Sequence, residues 1–599
     1  LMTLLVGPAV AWYVWHVLRT RPAADPGERR VEWAEWAVLC SVWGLLIATG
    51  LGHTGLMAIF GVAFLGAAVY AGLSRNAAFP IAVLLVAAVG VSTYLFLYIR
   101  AGQNPIINEA DPSTWHNLLA VIRREQYPVR SPLDDPTFLH GPDNPGRTPV
   151  LFLMQVVNYL QYADWQWAAS IARDVSAGFT PRIAFTLLYA TLGVMGAIRI
   201  ARADRSAYRL LLGLFLVTGL GMIVYMNFKP GFSLFYEQYR DSDQHEVRER
   251  DYFFLVSFQA WGLFAGVGVA ALAQRVWEQV RHRAAYAAFA LAGLPFVLNF
   301  AAASRRHGID VDLPRDFAYD LLQSVGPYGV IFTYGDNDTF PVWYAQEVEG
   351  IRQDVIVVNL SLGNLDWYIR QLRDRPVRPF DPAGAPAFYT GPAQPPPRLH
   401  DLTDAQVARM QAFYMDSSRV FRAGRIEVGL ERGQPIRVQD QLVLTLVAAN
   451  LGRRPLAFAS SAGPGVWTGL DPYLVEEGVV YRVADRPARE VAEWEHRLYR
   501  VATNVGRTDT LAWQVYRYAD LFEVDTVVVD PTARFVTGNL SMPFIMLGQA
   551  YALRRDEART LANLERAHHL SPSAELAQLI AVIRSSGLRT VMGDTTQAR

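Results

Sequence analysis

Hydrophobic and polar positions divide this chain into two unlike parts. Before Ser304, apolar stretches recur at around 1–18, 33–52, 54–73, 78–99, 182–201, 208–227, 252–274 and 284–303, each near the roughly 20 residues a helix needs to cross a hydrocarbon layer. They predict an α-helical polytopic membrane domain of about eight spans, with a tight hairpin where only Gly52-His53 separates two of them. After Ser304 the apolar runs shorten and prolines multiply. Two runs, 329–334 and 354–362, are rich in β-branched and aromatic residues and read as buried strands. Between them Pro341 suits a first helical turn, Thr339 or Asp338 offers a cap, and Gly350 falls where a helix end favours a left-handed residue. The result is a β-α-β unit, whose expected form is parallel with a right-handed crossover. A helix is expected at 316–324, a surface excursion at the proline-rich 380–397, and further strands at 442–448, 455–460 and 478–483. Leu547-Gly548, Tyr551, Ala567 and Pro572 have the spacing of one tetratricopeptide-like helical hairpin. One such repeat cannot bury its own face, so it is expected to pack on the α/β domain.

The domain organisation that follows is a transmembrane domain over 1–303 with outer loops at 100–181 and 228–251, an extracytoplasmic α/β domain over 304–535, and a helical hairpin region over 536–599. Its orientation comes from the arginines. Placing Arg29 and Arg30 in the cytoplasm puts Arg75, the cluster from Arg199 to Arg209 and the cluster from Arg275 to Arg283 on that side by strict alternation. Both long loops and everything after Ser304 then face out. In the first loop, Asp111 is a good cap and Pro112 a good first helical residue for a helix carrying Leu118, Leu119 and Ile122. Residues 150–171 are apolar but interrupted by Gln155, Asn158, Gln161, Asp164 and Gln166, and read as an interfacial or re-entrant helix.

Charge narrows the function only by exclusion. The 55 basic and 55 acidic residues cancel, giving no case for nucleic acid or a polyanionic partner. The single cysteine, Cys40, lies in an apolar run, so a disulfide framework or cysteine metal site within the chain is excluded. Phosphate-loop, HExxH, GxSxG and GxGxxG patterns are absent. What stands out is the second outer loop, which runs Glu246-Val247-Arg248-Glu249-Arg250-Asp251-Tyr252 straight into a span. Arg248 and Arg250 suit a phosphate or pyrophosphate headgroup, which a guanidinium binds bidentately; the alternative is that they neutralise Glu249 and Asp251. Gly335-Asp336-Asn337-Asp338 puts two carboxylates and an amide at the carboxyl edge of a sheet, where open α/β folds bind ligands, while the plainer reading is that Asp336 and Asp338 only cap and turn the chain.

Several ordered segments carry a family likeness: Asn104-Pro105 through Arg124-Glu125-Gln126-Tyr127, Glu246 through Phe254, Gly335-Asp336-Asn337-Asp338-Thr339-Phe340-Pro341 through Val358-Asn359-Leu360-Ser361-Leu362, Arg454 through Ala459, and Glu477 through Arg482. Together they resemble a family of polytopic GT-C glycosyltransferases related to protein O-mannosyltransferases. The resemblance implies inverting transfer of a sugar from a polyprenyl- or dolichyl-phosphate carrier to a protein hydroxyl on the extracytoplasmic face. A carboxylate would act as base, and cations or a divalent metal ion would stabilise the departing phosphate. It also implies a key acidic residue on the first outer loop, near the N-terminus, that has no match after Leu1. The chain opens inside an apolar run and is expected to lack its N-terminal part, catalytic acid included. The remaining candidates are Arg248 and Arg250 for the donor phosphate, Glu109 and Asp111 for the acceptor side or metal, and Asp336, Asn337 and Asp338 for a ligand of the α/β domain. Two other readings are a non-catalytic membrane scaffold or glycan-binding subunit, and a transporter, for which the spans carry few ionisable residues.

Overall fold

A computed structural model describes residues 25–126, 131–138, 140–171, 182–231, 233–234, 244–246, 248–281, 283–303, 312–392, 394–491, 501–527, 529 and 531–589. The chain forms two compact units, Leu1–Ser304 and Arg305–Arg599.

Within the described residues of the first unit, six helices are long and apolar enough to cross a membrane: Pro26–Leu51, Thr54–Leu73, Ala78–Ala101, Ile183–Ala203, Arg205–Met226 and Asp251–Val280. This is a multi-pass membrane protein. Two of the eight expected spans are not among the six. Residues 1–18 lie outside the described residues, and 284–303 forms a 3-10 segment, Arg283–Phe289, followed by a short helix, Ala290–Ala303, with Pro295 inside it. Proline removes a backbone donor and the 3-10 turns interrupt the α-helix, so its apolar stretch is shorter than the rest. The hairpin is present as expected. Gly52 adopts φ 67 and donates its N–H to Ala48 and Thr49, while the His53 ring accepts from Leu56 N and starts the next helix.

Helices Ile183–Ala203 and Leu255–Val280 cross at bare backbone: a Cβ on Gly196 would fall 1.7 Å from the Phe264 carbonyl oxygen, and one on Gly268 would fall 1.9 Å from that of Leu192. Small residues that admit close backbone approach are the usual basis of helix association in lipid. Val62, Leu73 and Val86 are largely exposed, as lipid-facing positions are. In the loop over 100–181 the helix is Trp115–Arg123, and Thr114, not the expected Asp111, caps it by accepting from Asn117 N. Asp111 lies earlier, in a turn of its own.

The second unit is built on a six-stranded mixed sheet. Its strands are β1 (Val330–Thr333), β2 (Ile356–Asn359), β7 (Leu456–Ala459), β8 (Leu474–Glu477), β9 (Val480–Val483) and β10 (Ala502–Thr503), in the order β10-β8-β9-β7-β1-β2. The strands β3 (Phe413–Tyr414), β4 (Arg419–Ala423), β5 (Ile426–Leu430) and β6 (Pro435–Ile436) form two small antiparallel pairs. β1 lies parallel to both β2 and β7, so the expected β-α-β unit is present. Side chains alternate across the sheet. Ile331, Val357 and Ala457 pack with Phe317, Leu321 and Val342 on one face; Val330, Phe332, Val358 and Phe458 pack with Tyr368, Leu442 and Leu446 on the other. Burial on both faces explains why these strands read as continuous apolar runs.

The expected strand at 442–448 lies inside a helix, Val438–Asn450. A short apolar run fits a buried helix as well as a strand. Here Asp440 accepts from Arg437 N at 2.8 Å and caps the helix, which turns Leu442, Val443, Leu446 and Val447 onto the sheet. The terminal helices Pro531–Leu553 and Glu557–Leu570 form the expected hairpin, and Phe544, Leu547, Ala567 and Leu570 bury against the first face.

Candidate functional site

Helix Pro149–Ala168 is polar inside and apolar outside. Gln155, Asn158, Gln161, Tyr162 and Asp164 are buried, while Val150, Leu153 and Leu160 are exposed. Every third position shares a helix face, so residues that look like interruptions form one seam. Gln155 Nε2 donates to Asn227 Oδ1 and the Phe228 carbonyl, Asn158 Oδ1 accepts from Gly231 N at 2.9 Å, and Gln161 Nε2 donates to Ser233 Oγ. Asp164 holds Arg182 and Thr186, a buried ion pair at 3.0 Å with an added hydrogen bond. Arg147, just before the helix, donates to the carbonyls of Ile223 and Val224 at the end of span Arg205–Met226. The loop side of the membrane unit is thereby tied together through one polar face.

The charged segment before span Asp251–Val280 closes onto this seam. Tyr162 OH donates to Glu249 Oε2 at 2.7 Å and accepts from Arg250 N. The Arg250 guanidinium donates through Nε and Nη2 to Glu246 Oε2 and through Nη1 to Tyr252 OH, and lies 5.1 Å from the centre of the Phe228 ring. Glu246 in turn accepts from Lys229 N. Arg248 is half-buried on the same segment. Between these groups lies a narrow cleft, lined on its polar side by Asn158, Lys229 and Arg250 and on its apolar side by Met222, Met226 and Phe254. Its volume is ≈ 20 Å³, about that of one water.

The other expected site residues sit elsewhere. Glu109 is exposed, and Asp111 accepts from the Asn108 side chain at 2.9 Å while its carbonyl accepts from Asn117 Nδ2. Ala110 and Asp111 both have positive φ, 61 and 41, a costly backbone for residues with a Cβ. The helix that follows them packs near Pro26–Leu51 and Ala78–Ala101, whereas the Arg250 cluster is built on Pro149–Ala168, Arg205–Met226 and Asp251–Val280.

Asp336 and Asn337 are exposed at the start of helix Asp336–Glu347, capped by Gly335 rather than by Asp338 or Thr339 as expected. Asp338 is buried, accepting from Tyr334 N at 2.8 Å, Ser461 Oγ at 2.6 Å and Thr339 Oγ1. Thr339 Oγ1 meets Thr333 Oγ1 and accepts from Asn359 Nδ2. Asp338 and its neighbours thus join the carboxyl ends of β1, β2 and β7. Burial raises the Asp338 pKa, opposed by the bonds from Ser461 and Tyr334. Pro341 lies within the helix rather than in its first turn, and Gly350 takes the expected left-handed conformation at φ 71. Among the described residues no three His, Cys, Asp or Glu side chains are grouped to hold a metal ion.

Tyr162 and Lys229 complete the membrane-unit site with no part in the sequence expectation, and the neutralising partner of Arg250 is Glu246 rather than the expected Glu249 or Asp251. The signal that leads to Tyr162 and Lys229 is the spacing of Gln155, Asn158, Gln161 and Asp164, which marks a helix needing polar partners. No curated protein and no solved structure matches this chain. A family model described as TMEM260-associated domain 2 matches residues 314–379, the stretch from the first helix of the second unit through β1 and β2, and over it the chain is similar to that domain.

Proposed function

We propose that the chain belongs to a membrane glycosyltransferase that moves a sugar, mannose or a similar hexose, from a polyprenyl- or dolichyl-phosphate donor to Ser or Thr hydroxyls of an acceptor protein on the extracytoplasmic face. The observation that carries this reading is the amphiphilic cleft, with Arg250 and Lys229 beside an apolar wall of Met222, Met226 and Phe254. A phosphate-linked lipid has the matching halves, and arginine meets phosphate with paired, charge-assisted hydrogen bonds. The family resemblance and the domain match at 314–379 support the same class.

In the transfer, the acceptor hydroxyl oxygen bonds to the anomeric carbon while the bond from that carbon to the phosphate oxygen breaks. The lipid phosphate leaves with the bonding pair, its charge met by Arg248, Arg250 and Lys229, and the hydroxyl proton passes to a carboxylate. Glu109 and Asp111 are assigned to the acceptor side. Because Glu246 already holds Arg250, donor binding exchanges that carboxylate for phosphate and widens the cleft. The tightness of the cleft and the engagement of Arg250 favour a second reading, in which the cluster only braces a scaffold or glycan-binding subunit. The readings separate in a transfer assay with protein from its native membrane and a radiolabelled polyprenyl-phosphate sugar. The transferase reading expects labelled acceptor protein that falls at least about tenfold in Arg250→Ala; no transfer by the wild type removes it.

The outward placement of the second unit depends on 283–303. Laid end to end, the 3-10 and α-helical parts of its apolar stretch, Tyr286–Ala302, reach about 28 Å, close to the roughly 30 Å of a hydrocarbon core. Ala302 N donates to Ser170 Oγ and Asn299 binds Ala169 N and the Gln166 carbonyl, at the C-terminal end of helix Pro149–Ala168. Those bonds support a crossing that ends opposite the arginine-rich connections.

A further inference from the structure

The described residues of the loop at 131–147 are bonded into a fixed frame. Arg147 N closes it onto the Leu133 carbonyl, Asn144 Oδ1 accepts from Asp135 N and Gly146 N, and the Asp135 carboxylate accepts from Thr137 N and Oγ1. The frame is held from outside as well. Nδ2 of buried Asn227, whose Oδ1 accepts from Gln155, donates to the carbonyls of Ser131 and Asp134 at 3.0 and 2.7 Å. Loops positioned by a rigid scaffold are where catalytic side chains concentrate.

What the frame presents is His140. Its side chain is 55 % exposed, and Nδ1 lies 2.5 Å from Asp134 Oδ2. An ionised carboxylate can only accept, so in the neutral ring Nδ1 carries the proton, and Nε2, which meets no partner among the described residues, offers its lone pair to solvent. An exposed pair of this kind adds little stability, whereas a carboxylate that fixes the tautomer of an open imidazole makes it a base.

We propose that His140, oriented by Asp134, is the general base for the acceptor hydroxyl, an inference that rests on the transferase reading. As the hydroxyl oxygen bonds to the anomeric carbon and the lipid phosphate leaves with its bonding pair, the hydroxyl proton passes to His140 Nε2 instead of to a lone carboxylate. Asp134 stabilises the imidazolium until it returns the proton to water. The reaction needs its base set off from the phosphate: the hydroxyl oxygen approaches to about 3–3.5 Å from the anomeric carbon and the base stands about 3 Å beyond it, across the sugar from the leaving group. The anchor of the dyad has that placement. Asn227 is followed by Phe228 and Lys229, which line the cleft beside Arg250, so Asp134 stands next to the phosphate cations and outside the cleft.

The test is transfer from a radiolabelled polyprenyl-phosphate sugar by the full chain from its native membrane, for the wild type, His140→Ala and Asp134→Asn, with and without added imidazole, beside a measurement of donor binding. His140→Ala is expected to lower transfer at least about 100-fold, to leave donor affinity within about twofold, and to regain part of its rate with imidazole. Asp134→Asn keeps the backbone carbonyl that Asn227 holds and is expected to lower kcat with KM unchanged. Wild-type transfer matched by His140→Ala overturns the proposal and leaves the transferase reading standing. A loss that imidazole does not restore overturns it in favour of a structural role, and no transfer by the wild type removes both.

Discussion

At Asp338 a buried carboxylate accepts from a backbone N–H and two hydroxyls that lie on different segments around the sheet edge. Removing it strands those donors, so Asp338→Ala is expected to cost about 2–4 kcal/mol of stability in denaturant unfolding, against about 1 kcal/mol for Asp338→Asn, which keeps the shape and some of the bonds. A loss below about 0.5 kcal/mol in the Ala variant would return the residue to the list of ligand groups. Glu476, on β8, makes a prediction of another kind. It is fully buried with Thr503 as its hydrogen-bond partner, and burial lifts its pKa from 4.5 to about 8. The folded state therefore holds the proton more tightly than the unfolded one. The stability that comes from burying the neutral acid is complete below pH 4.5 and is lost as pH rises through about 8. Glu476→Gln should remove this slope, worth on the order of 5 kcal/mol across the window, from a plot of unfolding free energy against pH; an unchanged slope would show that the group ionises freely.

Among elements, those with a strong internal pattern were legible in the sequence and those defined by their neighbours were not. The membrane helices, the β-α-β unit and the terminal hairpin each announce themselves through an apolar period or a cap. Val438–Asn450 did not, because Leu442 to Val447 is apolar all round its buried side and only the Arg437 and Asp440 cap marks it as a helix. The site at Arg250 was half legible: the density of charge before Asp251 was plain and the Glu246 partner is local, but Tyr162, which holds Glu249 and the Arg250 backbone N–H, comes from a helix about 90 positions earlier, a pairing no local pattern encodes. Close packing was legible only as glycine. A Cβ on Gly548 would stand 2.8 Å from Leu564 Cδ2 and 3.6 Å from the Thr560 carbonyl, which sets the spacing of helices Pro531–Leu553 and Glu557–Leu570. Gly548→Val should cost about 1–3 kcal/mol, read as a lower thermal midpoint; a neutral result would mean the hairpin can spread freely.

Across the whole molecule, equal numbers of acids and bases are spread unevenly along the chain. Arginines gather in the short connections, carboxylates and amides in the seam of the longer loops, and the α/β unit follows a final apolar segment, Tyr286–Ala302. If that segment crosses, single cysteines introduced at exposed positions such as Asn337 and Arg75, in a Cys40→Ala background, should react with an impermeant thiol reagent from opposite sides of sealed vesicles; labelling of both from one side would place the α/β unit with the arginines. The central claim, that Arg250 receives the phosphate of a lipid-linked sugar, is tested most directly by measuring the affinity of the purified chain for a polyprenyl-phosphate sugar, for the wild type and for Arg250→Ala at matched folding. Saturable binding is expected, weakening roughly 10–100-fold when the guanidinium is lost; equal affinity in the two proteins, or none in either, would show that Arg250 does not receive the phosphate.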